Sequence, residues 1–230
     1  AVLLAIAFVA KFVNRQRGFA AQWFDGRAVA ETVKSATWRY AMAAPPFANQ
    51  EDSRPSFERT LRDTLQARPS LIPQLHRLPA HGRQIPPGLA QIRAASIADR
   101  KAIYLSQRLD DQIDWYSTKA AANARSASRW FWAGMAAQGT ALVVSIALIQ
   151  ATDVPDVVAA FTTIAAAIAA WTQFRRHDEL SKSYSLAAHE LAFLYSAVAD
   201  ARTEEAFTQA IVSAEEAVSR EHTMWMAKRA

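Results

Sequence analysis

The residues best suited to acid–base or metal chemistry are two histidine–carboxylate clusters, His177-Asp178-Glu179 and His189-Glu190. The histidines stand 12 positions apart, which on a helix turns one about 120° away from the other. That separation does not make a metal pair, and the HExxH spacing of a zinc hydrolase is absent. The chain has no Cys. Disulfides, thiolate metal sites, iron–sulfur clusters and a Cys nucleophile are thereby ruled out. Six Gly among 230 residues, with no GxGxxG or GxxxxGK[ST] string, leave no phosphate-cradling loop. The expectation is a non-enzymatic protein with no catalytic residues, no metal and no cofactor.

Another set of chemically distinctive side chains lies on one segment. Counting from Arg108, Gln112 follows at +4, Trp115 at +7 and Lys119 at +11, with Tyr104 at −4 and Asn123 at +15. This spacing predicts one helical stripe. A solvated face with incidental aromatics is one reading. The other is that the stripe packs on the Ala-rich helix 184–198, with Arg108 paired to Glu190 or Asp200 and Trp115 in a core.

The elements that carry these residues are all helical in pattern. Alanine is abundant, β-branched runs are few, and no strand alternation occurs. Residues 130–151 form an uncharged run of 22, and 157–174 a second of 18. As a helix the first covers roughly 33 Å, enough for a bilayer core. Only TDVPD separates the two runs at full length, so the pattern predicts a transmembrane hairpin. Lys119, Arg125 and Arg129 precede it, Arg175, Arg176 and Lys182 follow it, and the loop carries only Asp153 and Asp156. That asymmetry places both outer ends in the cytoplasm. Trp130, Phe131, Trp132, Trp171 and Phe174 gather at the same end, where aromatic rings favour headgroup depth.

Neither run contains a charge, which argues against proton relays and charged filters. Small residues recur at every fourth position: Ala133, Ala137, Ala141 and Ser145 in the first run, and Ala159, Thr163 and Ala167 in the second. Such stripes let backbones approach closely, within the hairpin or between protomers. These stripe residues are candidates for helix packing or for lining a pore, and Gln138, Thr140, Ser145, Thr162 and Thr163 are the polar groups at depth.

Outside the hairpin, AVLLAIAFVA followed by Lys11, Arg15 and Arg17 reads as the end of a further membrane helix whose beginning lies before Ala1. Residues 18–43 give an amphipathic helix (Phe24, Val29, Val33, Ala36, Tyr40) stopped by Pro45–Pro46. A short helix with Phe57, Leu61 and Leu65 on one side follows, and the five prolines of 69–88 predict irregular structure. Ser96 with Asp99 has capping-box spacing for a long helix that runs into the first membrane run. Thr203 reads as the N-cap of a last helix burying Phe207, Ala210, Ile211, Ala214, Val218 and Trp225. The excess of base, 26 Lys and Arg against 21 Asp and Glu, concentrates beside the membrane ends. It therefore points to anionic lipid and not to nucleic acid. An echo of RAVAETVK in SLAAHELA, about 160 residues later, suggests a duplicated module.

The string YLSQRLDDQIDWYSTKAAANARSASRW at 104–130 resembles the juxtamembrane signature of the SLATT family, bacterial two-transmembrane-helix domains associated with SMODS nucleotidyltransferases and SLOG sensors. Tyr104, Arg108, Gln112, Trp115, Tyr116, Lys119, Asn123 and Trp130 carry the likeness. A related unit is suggested by RAVAETVKSATWRY, through Arg27, Glu31, Lys34, Trp38, Arg39 and Tyr40. The organisation read from this is an incomplete first unit over 1–67, a Pro-rich linker over 68–95 and a second unit over 96–230. The fold class is all-α, an integral membrane hairpin with long cytoplasmic helical extensions. The resemblance implies an effector of a bacterial conflict or antiphage system in the inner membrane, multi-pass, with most of the chain cytoplasmic. It further implies action by pore formation or membrane perturbation, triggered by a sensor or nucleotide-synthesising partner. One or two spans cannot enclose water, so this reading requires a homo-oligomer. The alternative is a membrane scaffold presenting a helical bundle to partner proteins.

Overall fold

The computed structural model describes residues 8, 19–77, 84–148 and 157–227. The Asp153–Asp156 loop and most of the apolar N-terminal stretch lie outside the described residues, as does the side chain of Trp225. Among the described residues every regular element is helical. The chain divides into two compact units, one made of Ala1–Asp110 with Leu191–Ala230, the other of Asp111–Glu190.

In the first unit, α1 (Phe19–Ala41) ends ahead of Pro45, whose ring cannot continue a helix. Next come α2 (Ser53–Gln66), a 3₁₀ helix (Pro69–Arg77), α3 (Pro87–Ala94) and α4 (Ile97–Tyr104). Tyr40, Phe47 and Phe57 form an aromatic core with Ala36, with Tyr40 and Phe57 centroids 4.8 Å apart. Within the stretch 69–88 expected to be irregular, Pro69–Arg77 is helical and Pro87 begins α3. Proline suits the first turn of a helix, where its missing N–H has no partner to lose, and α3 opens on Pro87. Ile85 and Leu89 close over the aromatic core. Arg93 lies above the Tyr40 ring and donates to the carbonyls of Tyr40 and Phe47, each at 2.6 Å.

Ser96 caps α4 as its spacing predicts, its hydroxyl accepting from the Asp99 amide at 3.2 Å. The helix then widens into a π-type segment, Leu105–Leu109, before resuming as α5 (Asp110–Ala147). Thr203 likewise accepts from the Ala206 amide at 3.2 Å at the start of α8 (Glu204–Ala227).

The second unit holds α5 from Asp111 on, α6 (Val157–Arg175) and the start of α7 (His177–Asp200). Between α6 and α7, Arg176 takes a left-handed conformation, φ 49°, which interrupts an otherwise helical run. The apolar stretches here are long enough to cross a membrane, yet only 11% and 6% of them are buried. The core helix of a soluble protein would be mostly covered.

Candidate functional site

The π-type segment decides which residues share a face. It inserts one residue and rotates everything after it by about 100°. Tyr104, Arg108 and Leu109 are fully buried, and the covered line continues through Tyr116 and Ala120. The predicted line through Gln112, Trp115 and Lys119 is displaced outward. Trp115 is 37% exposed, which corrects its expected place in a core, and Lys119 is exposed with its ammonium 5.7 Å from the Trp115 centroid. Trp115 meets Tyr184 edge-on at 5.6 Å and Tyr116 meets it at 6.0 Å. Both rings therefore meet the start of the Ala-rich helix at Tyr184, but Tyr116 is the one that is buried.

Arg108 pairs with neither Glu190 nor Asp200. Its guanidinium donates from Nε to Glu215 Oε1 at 2.9 Å and from Nη2 to Oε2 at 2.7 Å, and both side chains are essentially sealed from water. Tyr104 donates to the same carboxylate at 2.8 Å. Burial by itself would lower the Arg108 guanidinium, but the Glu215 carboxylate outweighs that and holds it above its ordinary value. Burial, followed by the field of Glu215, pushes the Tyr104 phenol well above its usual range. Trp38 of α1 packs edge-on against Tyr104 at 5.6 Å, and Arg39 of α1 donates to the Val212 carbonyl at 3.4 Å. Two donors in this cluster, Arg108 Nη1 and Arg39 Nε, are buried without a partner.

Glu215 had a signal in the sequence that was missed. It lies four residues after Ile211 and three before Val218, on the apolar side of α8. A carboxylate on that side needs a cation. Nearby, Arg100 forks onto Glu204, two bonds of 2.8 Å, and reaches the Met42 carbonyl at 2.7 Å. Lys101 donates to the carbonyls of Ala199 and Ala201 at the end of α7. The turn between α7 and α8 is thus held by two adjacent cations of α4.

In the hairpin the two small-residue stripes separate. Ala133 and Ala137 are half-buried and Ala141 is buried, so the first stripe faces inward except at its exposed end, Ser145. A side chain at Gly134 would meet Ile168 at 3.5 Å, and Trp130 and Trp171 rings lie 6.1 Å apart. In α6 the covered line is Val158, Phe161, Ala165, Ile168 and Thr172. Ala159, Thr163 and Ala167 are exposed, one step off that line. Outward too point Phe131, Trp132, Met135, Leu142, Val143 and Ile146. Thr162 and Thr163 return their hydroxyls to carbonyls of their own helix.

Asn123 accepts from His177 Nδ1 at 2.8 Å and donates to the Lys119 carbonyl at 2.9 Å. His189 donates to the Ser185 carbonyl at 2.7 Å. Among the described residues no three His, Asp or Glu side chains gather as metal ligands.

Residues 104–225 match the family described as SMODS and SLOG-associating 2TM effector domain 1, and residues 1–101 match SMODS and SLOG-associating 2TM effector domain 3. The chain belongs to the SLATT family. It carries two SLATT matches in tandem, meeting at the end of α4 just ahead of the π-type segment. No curated protein and no solved structure matches the chain. Trp38 and Arg39 belong to the first SLATT match, and Tyr104, Arg108 and Glu215 to the second, so the buried cluster draws on both.

Proposed function

We propose that this SLATT protein is a non-enzymatic membrane effector of a bacterial conflict system, which assembles in the inner membrane and permeabilises it when a partner protein or nucleotide signal triggers it. The family match supports the effector reading, and two helices long and apolar enough to cross a membrane support the spans. The basic flanks favour a cytoplasmic location for the helices outside the hairpin. The observation that carries assembly is Gln138. It sits within the first span and its side chain is exposed on the hairpin surface. An amide facing hydrocarbon costs about 1–3 kcal/mol or more, and a second protomer or a water-filled pore would remove that cost. The exposed Ala159, Thr163 and Ala167 offer a face on which another helix can lie close.

The test is purified protein in liposomes, read by dye release beside oligomer size in detergent. Wild type is expected to form a discrete oligomer and release dye on triggering. Gln138→Leu is expected to insert equally well and to lose most of the oligomer and the release. An unchanged oligomer in Gln138→Leu would contradict the assignment.

A further inference from the structure

The cytoplasm-side end of the hairpin gathers positive charge that its own carboxylates do not answer. Among the described residues, no carboxylate pairs with Arg125, Arg129 or Arg175. The two acids nearest in sequence are engaged elsewhere, Asp178 with Lys182 at 2.6 Å and Glu179 with Arg176 at 3.5 Å. The Arg175 guanidinium lies over the Trp171 ring, 5.4 Å from its centroid. Trp171 in turn packs against Trp130, the neighbour of Arg129. Arg129 Nη2 makes a single long bond of 3.3 Å to Ser126 Oγ. Stacking on an indole orders a guanidinium face and leaves its N–H edge free, the geometry that takes a phosphate through two parallel bonds.

The fields of these arginines meet at one place. His177 is held below its ordinary pKa by burial and then by Arg175 and Arg129. Its Nδ1 pairs with the Asn123 side-chain oxygen. Where the apolar surface ends, exposed Phe131, Trp132 and Phe174 mark the depth of lipid headgroups.

We propose that Arg129 and Arg175, flanking the Trp130–Trp171 ring pair, bind the headgroup phosphate of an anionic phospholipid. The site rests on the membrane reading of the hairpin. It takes a lipid in preference to a free anion because the aromatic surface below the arginines can cover acyl chain while the guanidinium edges hold the phosphate.

Wild type and Arg129→Gln/Arg175→Gln would be reconstituted in vesicles of equal phosphatidylcholine and phosphatidylglycerol, tested for co-flotation, then extracted in mild detergent. The lipid retained on the protein would be counted by native mass spectrometry. Wild type should float with the vesicles and retain phosphatidylglycerol over phosphatidylcholine by roughly thirtyfold, from two cations near the surface. The double variant should float equally and lose the preference. Arg129→Lys/Arg175→Lys should keep part of it, and Arg59→Gln/Arg62→Gln, which removes two exposed charges elsewhere, should keep all of it. Wild type that does not float overturns the membrane reading and the site with it. Wild type that floats but retains both lipids equally overturns the site alone, as does a preference that survives Arg129→Gln/Arg175→Gln or falls equally in Arg59→Gln/Arg62→Gln.

Discussion

The first unit closes aromatic rings and an ion pair inside and turns its polar residues to water. The hairpin does the reverse, with alanine and glycine inside and Leu142, Val143 and Ile146 outside. Composition differs to match: α2 carries Arg54, Glu58, Arg59, Arg62 and Asp63, whereas α6 holds no charge before Arg175. In water, apolar area must be covered, and large rings such as Phe47 and Phe57 cover the most. In lipid, covering an apolar side chain brings no such return, and close backbone approach at small residues provides the contact instead. A charge can stay inside the first unit because Arg108 and Tyr104 meet Glu215 there, whereas among the described residues neither long apolar run of the hairpin holds a charge at all.

The sharpest way to break this comparison is to strip one member from the ion pair. Arg108→Ala leaves Glu215 buried and unmatched and should destabilise the first unit by about 3–5 kcal/mol. Chemical denaturation followed by helical circular dichroism reads it directly. Replacing both partners, Arg108→Met with Glu215→Leu, should recover most of the loss, because what costs is the unmatched charge.

Tyr104→Phe should cost about 1.5–3 kcal/mol, the value of a bond to a charged group. Its pH dependence has a defined sign. The folded phenol keeps its proton above the unfolded value of about 10, so its contribution is complete below that pH and is lost as pH rises toward the folded value. Wild-type stability should fall as pH rises above about 10 and Tyr104→Phe should be flatter there. Parallel slopes would show that the phenol is not held as described.

How much of this was legible in the sequence follows the same division. The two long apolar helices, the Ser96 and Thr203 caps and the end of α1 were readable, because each depends on residues near one another in the chain. Stripe phase was not readable, since the π-type segment at Leu105–Leu109 leaves no local mark and shifts every later residue by one. That is why Tyr116 is covered and Trp115 is not. The partner of Arg108 lies 107 positions away, beyond any periodicity. The prolines of 69–88 suggested irregular chain, although Pro87 opens a helix whose Arg93 caps α1.

In the hairpin the same contrast predicts unequal effects for one substitution. Ala165→Leu inserts bulk at a buried position and should destabilise by about 1–3 kcal/mol. Ala167→Leu, exposed on the single chain, should leave hairpin stability nearly unchanged. Unfolding in a graded series of harsh and mild detergent separates the two, and equal effects would mean that the covered line of α6 is misassigned. The smallest effect belongs to Trp115→Ala. Its ring is partly exposed and meets Tyr184 edge-on, so the loss should be about 0.5–1.5 kcal/mol beyond its modest buried area. A loss of 3–5 kcal/mol would restore Trp115 to a core.

The central claim is that the outward apolar surface of the hairpin lies in lipid. Because the chain has no Cys, single cysteines at Val143, Ala165 and Arg59 can each carry a nitroxide spin label in reconstituted vesicles, with collision rates measured against oxygen and a water-soluble nickel chelate. At Val143 oxygen should dominate and the chelate be nearly excluded, at Ala165 both should be low, and at Arg59 the chelate should dominate. Free access of the chelate to Val143 would contradict the account.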